Sequence, residues 1–324
     1  MESVTKTRLT DDVIDQMVKR TFGSGTTVLQ AAELSDGWFN TAYSIELNDG
    51  RGVVLKVSPS DEVRTLRYEV NMMEAEVAAM RTIHEAGVDV PIPAVYGYDD
   101  SRELVPGRYF FQERLLGKPY NTLRDQLSEE ERTVIERELG TYNARINTIT
   151  GESFGYFGLP QSRRSNWREA FTAMIDGLLQ DGIDAGIKLP FSYEEIASVV
   201  QTHASCLDSV AAPKLVLWDL WEGNVFVNEG RITGLIDHER ALWGDPLMEH
   251  FFSFFSNRTP FLDGYGVAAP SANSNTRERR LLYDLYLSLV LRIECDYRHY
   301  QEDHTQWTIG NLNERFKALQ TFEV

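Results

Sequence analysis

Lys214-Leu215-Val216-Leu217-Trp218-Asp219-Leu220-Trp221-Glu222-Gly223-Asn224-Val225-Phe226-Val227 is the stretch on which the reading of this chain turns. An apolar run delivers Asp219 and releases it into a loop, and five residues on Asn224 opens a strand. After the turn Asn228-Glu229-Gly230, a second strand over 232–236 runs straight into Asp237. A hairpin about that turn brings Asn224 and Asp237 out at the same open end. One carboxylate and one amide oxygen at a strand terminus suit a hard cation such as Mg²⁺. Asp219 lies just upstream of that end, where a carboxylate can orient a hydroxyl or accept its proton. Each of these residues taken alone is better explained as a turn or cap. Their order and spacing make the set informative.

A second pair stands upstream. Lys56 sits in Val53-Val54-Leu55-Lys56-Val57, so its ammonium projects to one face of a sheet beside Val54. A lysine that discourages edge-to-edge pairing is an equally good account of that residue taken alone. Glu76 weighs against it. On a helix predicted over 66–85, Glu76 falls within the apolar stripe of Met72, Met73, Met80 and Ile83. A carboxylate buried there needs a partner, since an unpaired buried charge is costly. Lys56 is the natural one, and a strand-lysine to helix-glutamate pair aims an ammonium at phosphate oxygens. Glu74 competes for the role, but its helical neighbours are more mixed.

Around these residues the chain divides by character. A helix over 10–20 is followed by strands over 28–34, 41–47 and 52–58, the last two joined by Asn48-Asp49-Gly50. After the helix that holds Glu76 come strands over 94–98 and 108–113. Beyond Gly117 the pattern becomes helical, with segments at 129–149, 167–181, 193–210, 246–255 and 276–300 around the short β element at 224–237. The small polar loop 268–275 is expected to be mobile. The expected fold is α+β and two-lobed: a β-rich N-lobe over 1–112, then a hinge and a mostly helical C-lobe over 113–324. Ligands bind between such units.

Composition sets outer bounds. The 324 residues are 42% hydrophobic and 25% charged, the profile of an ordinary globular protein. With 32 basic and 49 acidic residues the net charge is −17, and no basic cluster offers a nucleic acid its footprint. That charge is compatible with a cationic partner, with simple solubility the plainer account. The two cysteines, Cys206 and Cys295, stand in no paired motif. No apolar run reaches membrane-spanning length, and the N-terminal residues do not read as a secretory signal. The expectations are a cytoplasmic protein, a small-molecule partner, and neither nucleic acid nor membrane.

The ordered set of Lys56, Glu76, Asp219, Asn224 and Asp237 resembles the aminoglycoside phosphotransferase family, within the kinase-like small-molecule phosphotransferases. The likeness also takes in the Gly37–Tyr43 turn, the hinge-like Phe111-Gln112-Glu113-Arg114-Leu115-Leu116-Gly117, and 215–246. The resemblance implies an ATP-dependent kinase that moves a γ-phosphoryl group to a hydroxyl, with GTP left open. In it Asp219 is the catalytic base, Asn224 and Asp237 hold Mg²⁺, and Lys56, held by Glu76, meets the α/β-phosphates. Adenine would meet the Glu113 carbonyl and the Leu115 amide. The turn bearing Gly37 and Asn40 would cover the phosphates, although an ordinary hairpin turn explains that segment as well. Asp245 and Glu249 are the candidate substrate contacts, with a helix cap the plainer account of Asp245.

Two departures qualify the likeness. The family carries a histidine two residues before the catalytic aspartate, where this chain has Leu217. That leaves a non-catalytic nucleotide-binding module as the alternative. Asp237 is followed by His238-Glu239-Arg240 and not by Phe-Gly, which favours a small-molecule kinase. Aminoglycosides, amino sugars, fructosamine adducts, choline-like amines, homoserine and methylthioribose all remain open as acceptors.

Overall fold

The computed structural model describes residues 6–34, 39–256, 258–267 and 273–323. Its first part is an antiparallel sheet, with burial alternating residue by residue along its second strand. β1 (Val28–Leu34), β2 (Thr41–Leu47) and β3 (Gly52–Val57) pair in sequence order. The β2–β3 turn closes at Gly50, whose φ of +87° a side chain would disfavour. The helix α2 (Met72–Glu85) leads on to β4 (Val95–Asp99) and β5 (Tyr109–Glu113), giving the order β1-β2-β3-β5-β4.

Alternation along β3 sends Val53, Leu55 and Val57 to one face, against Ile14, Met17 and Val18 of α1 (Asp11–Phe22). Lys56 therefore points to the other face. Phe110 of β5 packs there with Met73, Val77 and Met80 of α2.

The sequence predicted one helix over 66–85. The structure instead has a single 3₁₀ turn, Arg67–Glu69, an extended Val70, and Asn71 at φ +60° before α2 begins. The lead-in is drawn away by the other lobe. Arg67 pairs with Asp181 and Glu69 with Arg298, Tyr68 Oη donates 2.6 Å to Glu294, and Asn71 Nδ2 donates 3.3 Å to the Gly158 carbonyl. Leu66, Tyr68 and Met72 belong to the C-lobe core.

From Gly117 the chain enters the helical lobe. Gly117 has a φ of +103°, and a Cβ there would lie 2.3 Å from the Val227 carbonyl oxygen. β6 (Lys118–Pro119), α3 (Tyr120–Leu123), α4 (Glu129–Ile146), β7 (Gly155–Tyr156), α5 (Trp167–Asp184) and α6 (Tyr193–His203) follow in turn. β8 (Lys214–Val216) leads to the hairpin of β9 (Val225–Asn228) and β10 (Arg231–Leu235), and then to β11 (Leu242–Gly244). Two small sheets, β10-β9-β6 and β7-β11-β8, frame the loop that carries Asp219. α7 (Thr259–Tyr265), α8 (Ser274–Arg298) and α9 (Glu302–Gln320) complete the lobe.

The helix expected over 246–255 is instead two isolated 3₁₀ turns, Pro246–Met248 and His250–Phe252. Asp245 caps the first turn, and the Phe254 N–H leaves for Asp284 Oδ1 at 3.2 Å. The helices α7 and α9 were not anticipated. Of the loop expected to be mobile, 268–272 lies outside the described residues, and Asn273 caps α8 through the Thr276 N–H at 2.8 Å. Both cysteines are free and buried, and no helix among the described residues is long and apolar enough to cross a membrane.

Candidate active site

Lys56 Nζ lies 2.5 Å from Glu76 Oε1 and also pairs with Asp237. Glu76 is 0% exposed and Lys56 only 6%, whereas 37% of the Asp237 side chain is open. Glu74, the competing partner, is exposed. Burial alone would lower the Lys56 pKa, but Asp237 and Glu76 outweigh it and hold the ammonium above its ordinary value. Burial pushes the Glu76 carboxyl up, with Lys56 pulling it back. The ammonium is thus charged and seated between the lobes.

The Asp219 loop is built by two backbone devices. Trp218 adopts φ +62°, a left-handed conformation that a bulky residue resists. It is held there by Glu249, whose oxygens accept the Leu217 and Trp218 N–H groups at 3.0 Å each. Glu249 also accepts from Asn143 at 2.9 Å and Asn147 at 3.0 Å, and it is 1% exposed. Charge-assisted bonds of this kind contribute about 1.5–3 kcal/mol each, enough to offset a local strain of about 1–3 kcal/mol. Leu217 is buried against the core. The support that the resemblance assigns to a histidine side chain comes here from a carboxylate gripping the main chain.

At the far end, the Ile236 N–H donates 3.0 Å to the Asn224 carbonyl, which closes the hairpin and sets Asn224 beside Asp237. Asn224 Nδ2 donates 2.8 Å to the Asp219 carbonyl, so its Oδ1 is the atom left for a cation. Among the described residues no group of three or more His, Cys, Asp or Glu side chains forms a metal cage. An amide oxygen and one carboxylate fit Mg²⁺ all the same, because that ion keeps water and phosphate oxygens as its remaining ligands.

Asp219 is 35% exposed at its side chain and faces Arg240, whose Nε is 3.6 Å from Oδ2. Burial pushes its carboxyl up to about 6; Arg240 pulls it down, while Asp237 and Glu294 add to the rise. Glu239, two residues past Asp237, is pushed up to about 8 by burial and by the neighbouring Glu76 and Asp237. It accepts 2.8 Å from Asn40 Nδ2, a bond across the two lobes. Asn40 thus meets the residue two positions beyond Asp237. Gly37 and the rest of 35–38 lie outside the described residues.

The hinge leaves sheet pairing after Glu113. Glu113 N donates 2.8 Å to Ala94 and Arg114 N donates 3.3 Å to Gly52, while the Leu115 side chain covers Gly234. Asp245 and Glu249, read from the sequence as substrate contacts, are turned inward and saturated, which corrects that expectation. Asp245 Oδ1 accepts 3.1 Å from Leu247 N, and Oδ2 takes Arg279 and, at 2.6 Å, Tyr283 Oη. Arg240, Glu239 and Tyr68 were missed. Their partners lie far off in sequence, and nothing local marks them.

A two-lobed kinase-like scaffold that gathers a lysine–glutamate pair, an open aspartate and a looped aspartate defines a small-molecule phosphotransferase. The profile described as "Phosphotransferase enzyme family" matches residues 30–283, and the chain belongs to that family. It is 26% identical to the hygromycin-B 4-O-kinase of Escherichia coli over 268 residues, 77% of this chain and 68% of that one. Solved structures share the fold. The aminoglycoside phosphotransferase APH(4)-Ia superposes with a TM-score of 0.68 at 20% identity, covering 94% of this chain and 98% of that one. A putative fructosamine-3-kinase from Thermobifida fusca gives a TM-score of 0.67 at 21% identity, covering 95% and 100%.

Proposed function

We propose that the chain transfers the γ-phosphoryl group of ATP to a hydroxyl of an aminoglycoside-like or other amine-bearing sugar. The observation that carries this is the meeting of Lys56, Glu76 and Asp237 at one point between the lobes, with Asp219 and Asn224 bonded to each other alongside. Lys56 would hold phosphate oxygens, kept charged and aimed by Glu76. The Glu113 carbonyl and Leu115 amide would take the adenine edge. Asp237 and Asn224 would hold Mg²⁺, which supplies charge neutralisation for the phosphates. Asp219 aligns the acceptor hydroxyl and takes its proton. Placement and electrostatics supply the rate, as phosphoryl transfer demands.

The acceptor class rests on the relatives. The Escherichia coli enzyme is a hygromycin-B kinase, and one solved relative was captured with ADP and hygromycin B. Hygromycin B is therefore the first acceptor to try, followed by fructosamine adducts and other amino sugars. ADP release would be measured with Mg²⁺-ATP against that panel, with the phosphorylated product identified by mass. Nucleotide-dependent phosphate on a hydroxyl is the expected result. Tight ATP binding without transfer to any acceptor would overturn it in favour of a non-catalytic module.

A further inference from the structure

Arg240 links the segment after Asp237 to α8. Its Nη2 donates 2.8 Å to Glu294 Oε1 on α8, and that carboxylate also receives Tyr68 Oη at 2.6 Å. The guanidinium lies over the Trp218 ring at 5.6 Å and the Tyr68 ring at 5.7 Å. Its position is therefore fixed on three sides. Yet Nε is buried without a hydrogen-bond partner, and the nearest carboxylate oxygen, Asp219 Oδ2, stands 3.6 Å away. That is too long for a hydrogen bond. A buried donor left unmade is costly and uncommon without a reason. Catalytic hydrogen bonds are often long in the absence of substrate and tighten when it binds.

We propose that Arg240 is a positioning residue for the base, its Nε–H reserved for Asp219 Oδ2. The inference rests on the kinase reading above. When an acceptor hydroxyl engages Oδ1, the gap to Nε closes into a charge-assisted hydrogen bond and the plane of the carboxylate is set. The acceptor oxygen then forms its bond to the γ-phosphorus as the bond from that phosphorus to the departing nucleoside diphosphate breaks. The hydroxyl proton passes to Oδ1, while Oδ2 stays on Arg240. Glu294 and Tyr68 act one step further out. They hold Arg240, and so connect α8 and the lead-in to α2 with the reacting oxygen.

The test is steady-state kinetics with Mg²⁺-ATP and hygromycin B on Arg240→Gln, Arg240→Lys and Glu294→Gln, each with its thermal midpoint. Arg240→Gln should lower kcat on the order of 10–100-fold, the cost of a misplaced catalytic group, with KM for ATP and for acceptor little changed. Arg240→Lys should recover part of kcat by restoring the charge, and Glu294→Gln should lose less than Arg240→Gln. An unchanged kcat in Arg240→Gln overturns the inference. So does a loss of kcat that tracks nucleotide affinity and thermal midpoint together. If the native protein phosphorylates no acceptor, the kinase reading fails, and a crystal structure of Arg240→Gln decides the remaining point. An Asp219 carboxylate rotated from its native orientation supports the positioning role; one left unmoved overturns it.

Discussion

The two halves of the site are held in opposite ways. On the lysine side every charge has a partner: Lys56 is buried between Glu76 and Asp237, within hydrogen-bond reach of both. On the side of the proposed base, Asp219 has no counter-charge within hydrogen-bond reach, its nearest cation standing off at 3.6 Å. One half is therefore part of the folding core as well as of the chemistry. The other is carried by the fold but contributes little to it. Substitutions in the two halves should separate stability from turnover.

The largest effect is expected on the base side. Asp219→Asn should lower kcat about 10³-fold, the scale of a lost general base, with unfolding free energy and nucleotide affinity close to native by denaturation and calorimetry. An equal loss of stability would break the contrast. On the lysine side, Lys56→Met should cost about 3 kcal/mol of unfolding free energy, because it strands Glu76 in the core without its counter-charge. Adding Glu76→Gln should return much of that in a double-mutant cycle. If the single variant unfolds like the native protein, the pair is functional only.

Glu249 sharpens the comparison, since it supports the Asp219 loop from behind. Glu249→Gln should cost about 2 kcal/mol by removing charge-assisted acceptors from buried N–H groups, and should lower kcat while leaving ATP affinity in place. A smaller effect comes with acid. Burial, helped by Arg280 and Arg258, lowers the His250 pKa to about 4. The unfolded chain then binds the extra proton first, so the stabilising contribution is complete above pH 6.5 and is lost as pH falls towards 4. Between pH 7 and pH 5.5 the loss is about 1 kcal/mol. His250→Phe should flatten that slope in urea titrations across the range.

The sequence was most legible where the pattern is local. The β2–β3 hairpin, the alternation that turns Lys56 from Val53, Leu55 and Val57, and the hairpin that brings Asn224 to Asp237 all follow from period-two burial and turn residues. Glu76 was legible because a carboxylate in an apolar stripe calls for a partner. What could not be read depends on distant chain. Arg240 finds Glu294 across 54 positions, and Glu249 finds the Leu217 N–H across 32. α9 escaped because its buried residues, Thr308, Leu312, Phe316 and Leu319, make a stripe about one residue wide per turn. The helix expected over 246–255 failed because Asp245 caps a first 3₁₀ turn and the Phe254 N–H turns to Asp284, a contact that depends on distant chain.

The lead-in before α2 bears on how the halves can move. The chain passes between lobes at the hinge after Glu113, and it is fastened a second time where Arg67, Tyr68 and Glu69 grip α5 and α8. The lead-in adds to the links that Lys56–Asp237 and Asn40–Glu239 already make across the lobes. A shift of the smaller lobe that dislodged this lead-in would rupture the buried Glu69–Arg298 pair. α2 is thereby tied at its start to the helical lobe instead of swinging by itself.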